Sequence, residues 1–303
     1  MIELKHSSEG SILMSKDRRD GKYIKPEDSI HAIMPYLMPK RTEAEVYLQD
    51  SIDVTELKKF LDDKNKSIND YKITVFHAFV TAISKTIYNR PVLNRFIAGK
   101  RMYQRNDITI SFVAKNKFAD EAEERLLVLK VDEDMKLDKI SSKIYNDVTK
   151  VRKEGGNSID DTLKFVTKFP RWVVTLIMWV FRKLDYYDKV PKFISNGDPN
   201  YTTVLISNLG SIKSNPCYHH LNNYGTNSII VTIGEIREQY ITDSKGNLNK
   251  RDVLEVGITL DERIGDGFYF AKSFKLIKHI IENPTLLDEE VNRMVNYEKQ
   301  NKK

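Results

Sequence analysis

A single cysteine, Cys217, stands among 303 residues. No intramolecular disulfide and no multi-cysteine zinc site can be built from it, which fits a reducing compartment. The opening segment, Met1 to Gly10, lacks the apolar core of a secretory signal, so a cytoplasmic protein is expected. Long apolar runs are missing too. The longest, Trp172 to Phe181, is about half the length of a membrane-crossing helix. Pro170 suits a first helical turn, and the expectation is a helix buried within the protein or at a subunit contact. Two tryptophans with Arg171, Arg182 and Lys183 beside them also suit a helix lying on a membrane surface, the weaker of the two readings. Neither repeats nor low-complexity linkers break the chain.

What is present describes an ordinary globular chain, 40% apolar and 30% charged. The net charge of +6 and pI near 9.0 permit an anionic partner such as a nucleotide-bearing cofactor. The basic residues are dispersed among 43 acids, without the helix or zinc motifs of nucleic-acid readers, so no nucleic-acid partner is expected. Residues 1–28, with Arg18, Arg19, Asp20 and Gly21, read as a polar, basic arm; 29–290 as a single domain; and 291–303 as a charged tail.

Ala44 to Ile52 reads as a strand, followed by a helix to about Asp63 with Thr55 a candidate N-cap. Phe76, Phe79, Val80, Ile83 and Ile87 recur at helical spacing and predict a core helix that stops at Arg90 before Pro91. A hairpin around Gly99-Lys100 and strands at Ile108 to Ala114 and Leu126 to Val131 follow. Helices are expected over Leu137 to Val151, broken by Gly155-Gly156, and over Ile159 to Leu184. Strands return at Thr202 to Ser207, Ser228 to Ile236 and Val253 to Leu260, before a closing helix from about Phe268 to Glu282. The order suits a mixed α/β layered domain.

The most informative stretch runs from Val256 to Gly267. Val256, Ile258, Leu260 and Glu262 share one face of a strand, so an apolar row ends on a carboxylate. Such a group reaches solvent, pairs with a cation, or stays neutral.

This stretch, with Asp266-Gly267 at its end, resembles the His-x-x-x-Asp-Gly signature of the chloramphenicol acetyltransferase and 2-oxo acid dehydrogenase acyltransferase superfamily, with Glu262 at the histidine position. Ile206-Ser207-Asn208-Leu209-Gly210 resembles that family's Ser-Asn-Leu-Gly, and Arg90-Pro91-Val92-Leu93-Asn94 its Pro-x-Leu-Asn. The resemblance runs from about Pro35 to Leu287. It implies a chloramphenicol acetyltransferase-like mixed sheet with packed helices, a homotrimer with active sites between neighbours, and coenzyme A as acyl carrier. It further implies that Ser207 donates to the oxyanion and that Asp266 is structural, paired with an arginine for which Arg41 and Arg263 are the candidates.

The missing imidazole is the difficulty. A thiol titrates near pH 8.5 and a glutamate near 4.3, so that proton transfer is uphill by roughly 6 kcal/mol unless burial raises Glu262 by several units. His219 or His220 could supply a base instead, although adjacent loop histidines more often serve hydrogen bonding. The pair lacks an obvious third ligand, so no metal is expected. His77 reads as a satisfied core histidine. The short segment before the match leaves no room for a lipoyl domain, which makes a free acyl-coenzyme A thioester the expected donor to an unknown acceptor. The contrasting expectation is a catalytically silent trimeric binding or scaffold protein of the same fold.

Overall fold

The computed structural model describes residues 16–26, 28–115, 124–154, 166–195, 197–242 and 245–297. Alternating apolar strands assemble a six-stranded mixed sheet in the order β2 (Glu45–Asp53), β9 (Leu248–Asp261), β8 (Ile229–Thr242), β7 (Val204–Asn208), β5 (Ile108–Lys115) and β6 (Glu124–Val131). β7 runs parallel to both of its neighbours, and the remaining pairs are antiparallel.

Against the sheet pack α2 (Thr55–Asn65), α3 (Val75–Asn89), α4 (Leu137–Glu154) and a helix at Gly267–Glu282, termed α7. The core lies between these layers, where Phe79, Ile83 and Ile87 of α3 join a cluster with Ile206, Val231 and Ile258 of the sheet. α3 stops where its sequence predicts, with Pro91 starting a 3-10 turn. Thr55 is the first residue of α2 rather than its cap, because its hydroxyl is spent accepting from the Asp252 N–H at 2.8 Å.

A second sheet has the order β1 (Gly21–Ile24), β4 (Arg101–Arg105), β3 (Arg95–Ala98). Gly99 and Lys100 join β3 to β4, both with φ positive (55° and 62°), the backbone of a two-residue hairpin that twists with its strands. The segment read as an arm therefore supplies a strand. The segment read as a tail begins on a buried residue, Val291, whose N–H donates to the Met135 carbonyl at 2.9 Å. Gly155-Gly156 and the start of the expected helix at Ile159 lie outside the described residues.

The apolar run forms α5 (Arg171–Tyr186) and corrects the expectation of burial within the chain: none of its residues is buried. Its inner strip is seated, with Phe181 edge-on to Tyr224 at 5.7 Å and Asp185 accepting from the Tyr201 hydroxyl at 2.8 Å. Its outer strip is open, with Trp172 71% and Trp179 58% exposed. Among the described residues no helix is long and apolar enough to cross a membrane. A short helix, α6 (Lys192–Ser195), leads on to β7.

Candidate active site

Val256, Ile258 and Leu260 face the helical layer and are buried, and the row continues as read to Glu262, which begins a 3-10 turn (Glu262–Ile264) and is partly exposed. The Glu262 N–H donates to the Ala44 carbonyl at 2.9 Å, fixing the turn to the start of β2.

The residue before it was not legible as functional. Asp261 is fully buried and holds Arg263 in a two-pronged ion pair, Oδ1 to Nε at 2.7 Å and Oδ2 to Nη2 at 2.6 Å. Arg263 also donates from Nη1 to the Met38 carbonyl at 2.8 Å, tying the turn to the chain just after α1 (Ser29–Leu37). Arg41 is buried and donates to the carbonyls of Ile97 at 2.8 Å, Asn222 at 3.3 Å and Gly225, and burial lowers its pKa. Neither arginine pairs with Asp266, which corrects that expectation. Asp266 caps α7 instead, its Oδ1 accepting from the Tyr269 N–H at 2.7 Å; a carboxylate at a helix N-terminus already has its partner.

α1 closes over this turn and creates a hollow lined by Asp28, His31, Met34, Val46, Glu262 and Asp266, with Gly267 and Phe270 at its base. In it the structure places a histidine that motif reading missed. Asp28 caps α1, accepting from the His31 N–H at 2.7 Å with one oxygen and pairing with His31 Nδ1 at 2.7 Å with the other. These two bonds hold the Asp28 carboxyl below the usual carboxylate range. Donation from Nδ1 leaves Nε2 as the acceptor of the ring. The Asp-x-x-His spacing was visible as a capping pattern, but nothing local shows that it faces Glu262.

Ser207 lies elsewhere in the chain. It pairs across β8 Thr232 to β9 Gly257, five residues before Glu262, so the two sites are about 17 Å apart along the strands. Alternation puts the Ser207 row on the sheet face opposite the Glu262 row. Among the described residues its half-buried hydroxyl has no hydrogen-bond partner, so it is free to donate outward. Asn208 ends β7, and its carbonyl accepts from the Ser211 hydroxyl at 2.8 Å. Gly210 presses on the Gly234 carbonyl, where a Cβ has no room; a Cβ on Gly234 would meet Pro216 at 2.5 Å, and one on Gly257 the Cys217 carbonyl at 3.0 Å.

The profile of the 2-oxoacid dehydrogenase acyltransferase catalytic domain matches residues 31–158 and 194–288. The chain belongs to this family. Solved structures agree on the acyltransferase fold. A probable dihydrolipoamide acetyltransferase from Listeria monocytogenes aligns at 18% identity and TM-score 0.57, over 87% of this chain and 95% of that one. The cubic core of a pyruvate dehydrogenase multienzyme complex aligns at 15% identity and TM-score 0.56, over 88% and 94%. A chloramphenicol acetyltransferase aligns at 11% identity and TM-score 0.53, over 86% and 99%. No curated protein sequence matches the chain.

Within this acyltransferase-family protein the three histidines singled out from the sequence, His77, His219 and His220, do not line the hollow. His220 is exposed, its Nδ1 lying 3.0 Å from Glu45 Oε2; Glu45 faces away from Val46 and therefore away from the hollow. His219 is exposed on the same loop. His77 is satisfied as read: its Nδ1 accepts from the Thr74 N–H at 3.0 Å, and burial pushes its pKa down to about 4. α5 falls in the stretch, residues 159–193, that separates the two parts of the family match.

Proposed function

We propose that the protein transfers an acyl group from a coenzyme A thioester to a thiol or hydroxyl acceptor, at a site completed by two subunits of a homotrimer. The observation that carries this reading is the His31–Asp28 pair in the same hollow as Glu262, where the family's base is missing.

In this scheme His31 Nε2 takes the acceptor's proton while Asp28 holds the ring and offsets the positive charge it gains. The Glu262 carboxyl group lines the same hollow and is placed to act on the imidazolium as a second acceptor of its charge. It thereby serves electrostatically and avoids the uphill proton transfer that a carboxylate base would face. The acceptor attacks the thioester carbonyl, and the oxyanion accepts from the Ser207 hydroxyl of a neighbouring subunit. Collapse breaks the carbon–sulfur bond, and the departing thiolate takes the proton back from His31.

The positive net charge suits the phosphates of coenzyme A. The opposed faces of Ser207 and Glu262 support a two-subunit site, since one chain cannot bring them together.

Release of free coenzyme A across short and long acyl donors tests the reading. His31→Gln and Ser207→Ala should each lower kcat by about a hundredfold or more, while His219→Gln and His220→Gln leave it within about twofold. Wild-type turnover that survives His31→Gln would remove the histidine from the mechanism. Binding of acyl-coenzyme A without turnover of any donor would make the protein a silent binding module of the same fold.

A further inference from the structure

We propose that the outer face of α5 lies on an anionic phospholipid surface. This inference does not depend on the reaction proposed above. At 100° per residue, Trp172, Leu176, Trp179 and Lys183 fall on one strip of α5, with Val180 beside it. All four apolar members are exposed, Trp172 and Trp179 most of all. The opposite strip is already engaged with the protein through Phe181 and Asp185, so α5 is held with its tryptophans outward.

Charge chooses the occupant. Lys168, Arg171, Arg182, Lys183, Lys189 and Lys192 are the basic residues of the segment 166–195, against only two acids, Asp185 and Asp188. Both acids are turned inward: Asp185 accepts from Tyr201 and from the Gly225 N–H at 2.9 Å, and Asp188 accepts from the Arg19 N–H at 2.8 Å and lies 3.4 Å from Arg18. Among the described residues Arg171, Arg182 and Lys183 form no ion pair. A second copy of this chain would set these cations against the same cations if it docked through the same face. A headgroup layer instead supplies anions at the rim and an apolar interior beneath, the environment in which tryptophan rings flanked by basic residues are most stable. The family match breaks off on either side of this helix, so α5 lies outside the matched parts of the catalytic domain.

Both tryptophans of the chain sit on this face, so intrinsic fluorescence reports on it without a label. Full-length protein is mixed with vesicles of equal parts phosphatidylcholine and phosphatidylglycerol, and separately with phosphatidylcholine alone, and followed by emission and co-sedimentation. The expected result is a blue shift and co-sedimentation with the anionic vesicles only, weakening as salt is raised. Trp172→Ser/Trp179→Ser should abolish sedimentation, and Arg182→Glu/Lys183→Glu, which keeps both fluorophores, should weaken it about tenfold or more. Absence of a shift and of sedimentation with anionic vesicles overturns the proposal, as does vesicle binding that both double variants leave unchanged. A drop in oligomer mass on Trp172→Ser/Trp179→Ser, with no vesicle binding by the wild type, would assign the face to a second copy and equally overturn it.

Discussion

At the scale of single residues, the decisive pair is Asp261 and Arg263. An ion pair closed off from water returns little net stability while both partners remain, but removing one strands the other charge in the core. Asp261→Asn should therefore lower unfolding stability by about 3 kcal/mol in urea titrations. It should also loosen the Arg263 bond to Met38 and with it the seat of His31. A loss under about 0.5 kcal/mol would mean that Arg263 finds another counter-charge.

His77 makes a second prediction with a definite sign. Its pKa is held near 4 in the folded chain against 6.5 unfolded, so the unfolded state binds the proton first as pH falls. Its contribution is whole above pH 6.5 and is lost as pH drops toward 4. It amounts to about 2 kcal/mol once the ring's partial exposure is discounted. His77→Gln, which keeps an acceptor at the same helix position, should flatten the stability-versus-pH curve in that window; an unchanged slope would show that the proton is bound elsewhere.

Candidate residues were legible where a motif carried them. Glu262, Ser207 and Gly210 could be picked from the chain because each sits at a fixed place in a recognisable stretch. Asp28–His31 could not, since its meaning depends on α1 folding over a turn more than 200 positions away, as the Met38–Arg263 bond does. The choice of partner for Asp266 failed for a similar reason: a carboxylate two residues from an arginine and one beginning a helix look alike in sequence, and the nearer Asp261 claimed Arg263.

At the scale of elements, α7 rests on its cap. Asp266→Ala removes the acceptor for the Tyr269 N–H and should cost about 1 kcal/mol, seen as a lower Tm in thermal unfolding. Strands and core helices were readable because burial imposes a period on their side chains. The far ends of β8 and β9, from Arg237 to Thr242 and from Leu248 to Asp252, were missed because these residues stand largely in solvent, where backbone pairing leaves no apolar alternation to read. α5 misled in the other direction. Apolar residues around nearly the whole helix read as burial on both sides, whereas the chain itself supplies a partner for only one.

At the scale of the whole molecule, the sheet separates the two halves of the proposed site. Ser207 faces one side of it and Glu262 the other, so under the proposed mechanism a complete site would take its serine and its histidine from different subunits. Mixed trimers should then complement: Ser207→Ala and His31→Gln, each inactive alone, should regain part of the wild-type rate when co-expressed, because some interfaces join an intact serine to an intact histidine. A mixture no faster than its components would place both groups within one subunit's reach and undo the two-subunit reading.

The contact of Gly210, Gly234 and Gly257 with neighbouring backbone bears on how such a machine tolerates its surroundings. The height of the loop above the sheet beside Ser207 is set by the thickness of a peptide plane. The hollow around His31 is instead set by charges that salt and acid can loosen. One half of the proposed site is thus built like masonry and the other like a circuit, and a shift in the medium should detune the proposed proton chemistry long before it moves the hydroxyl.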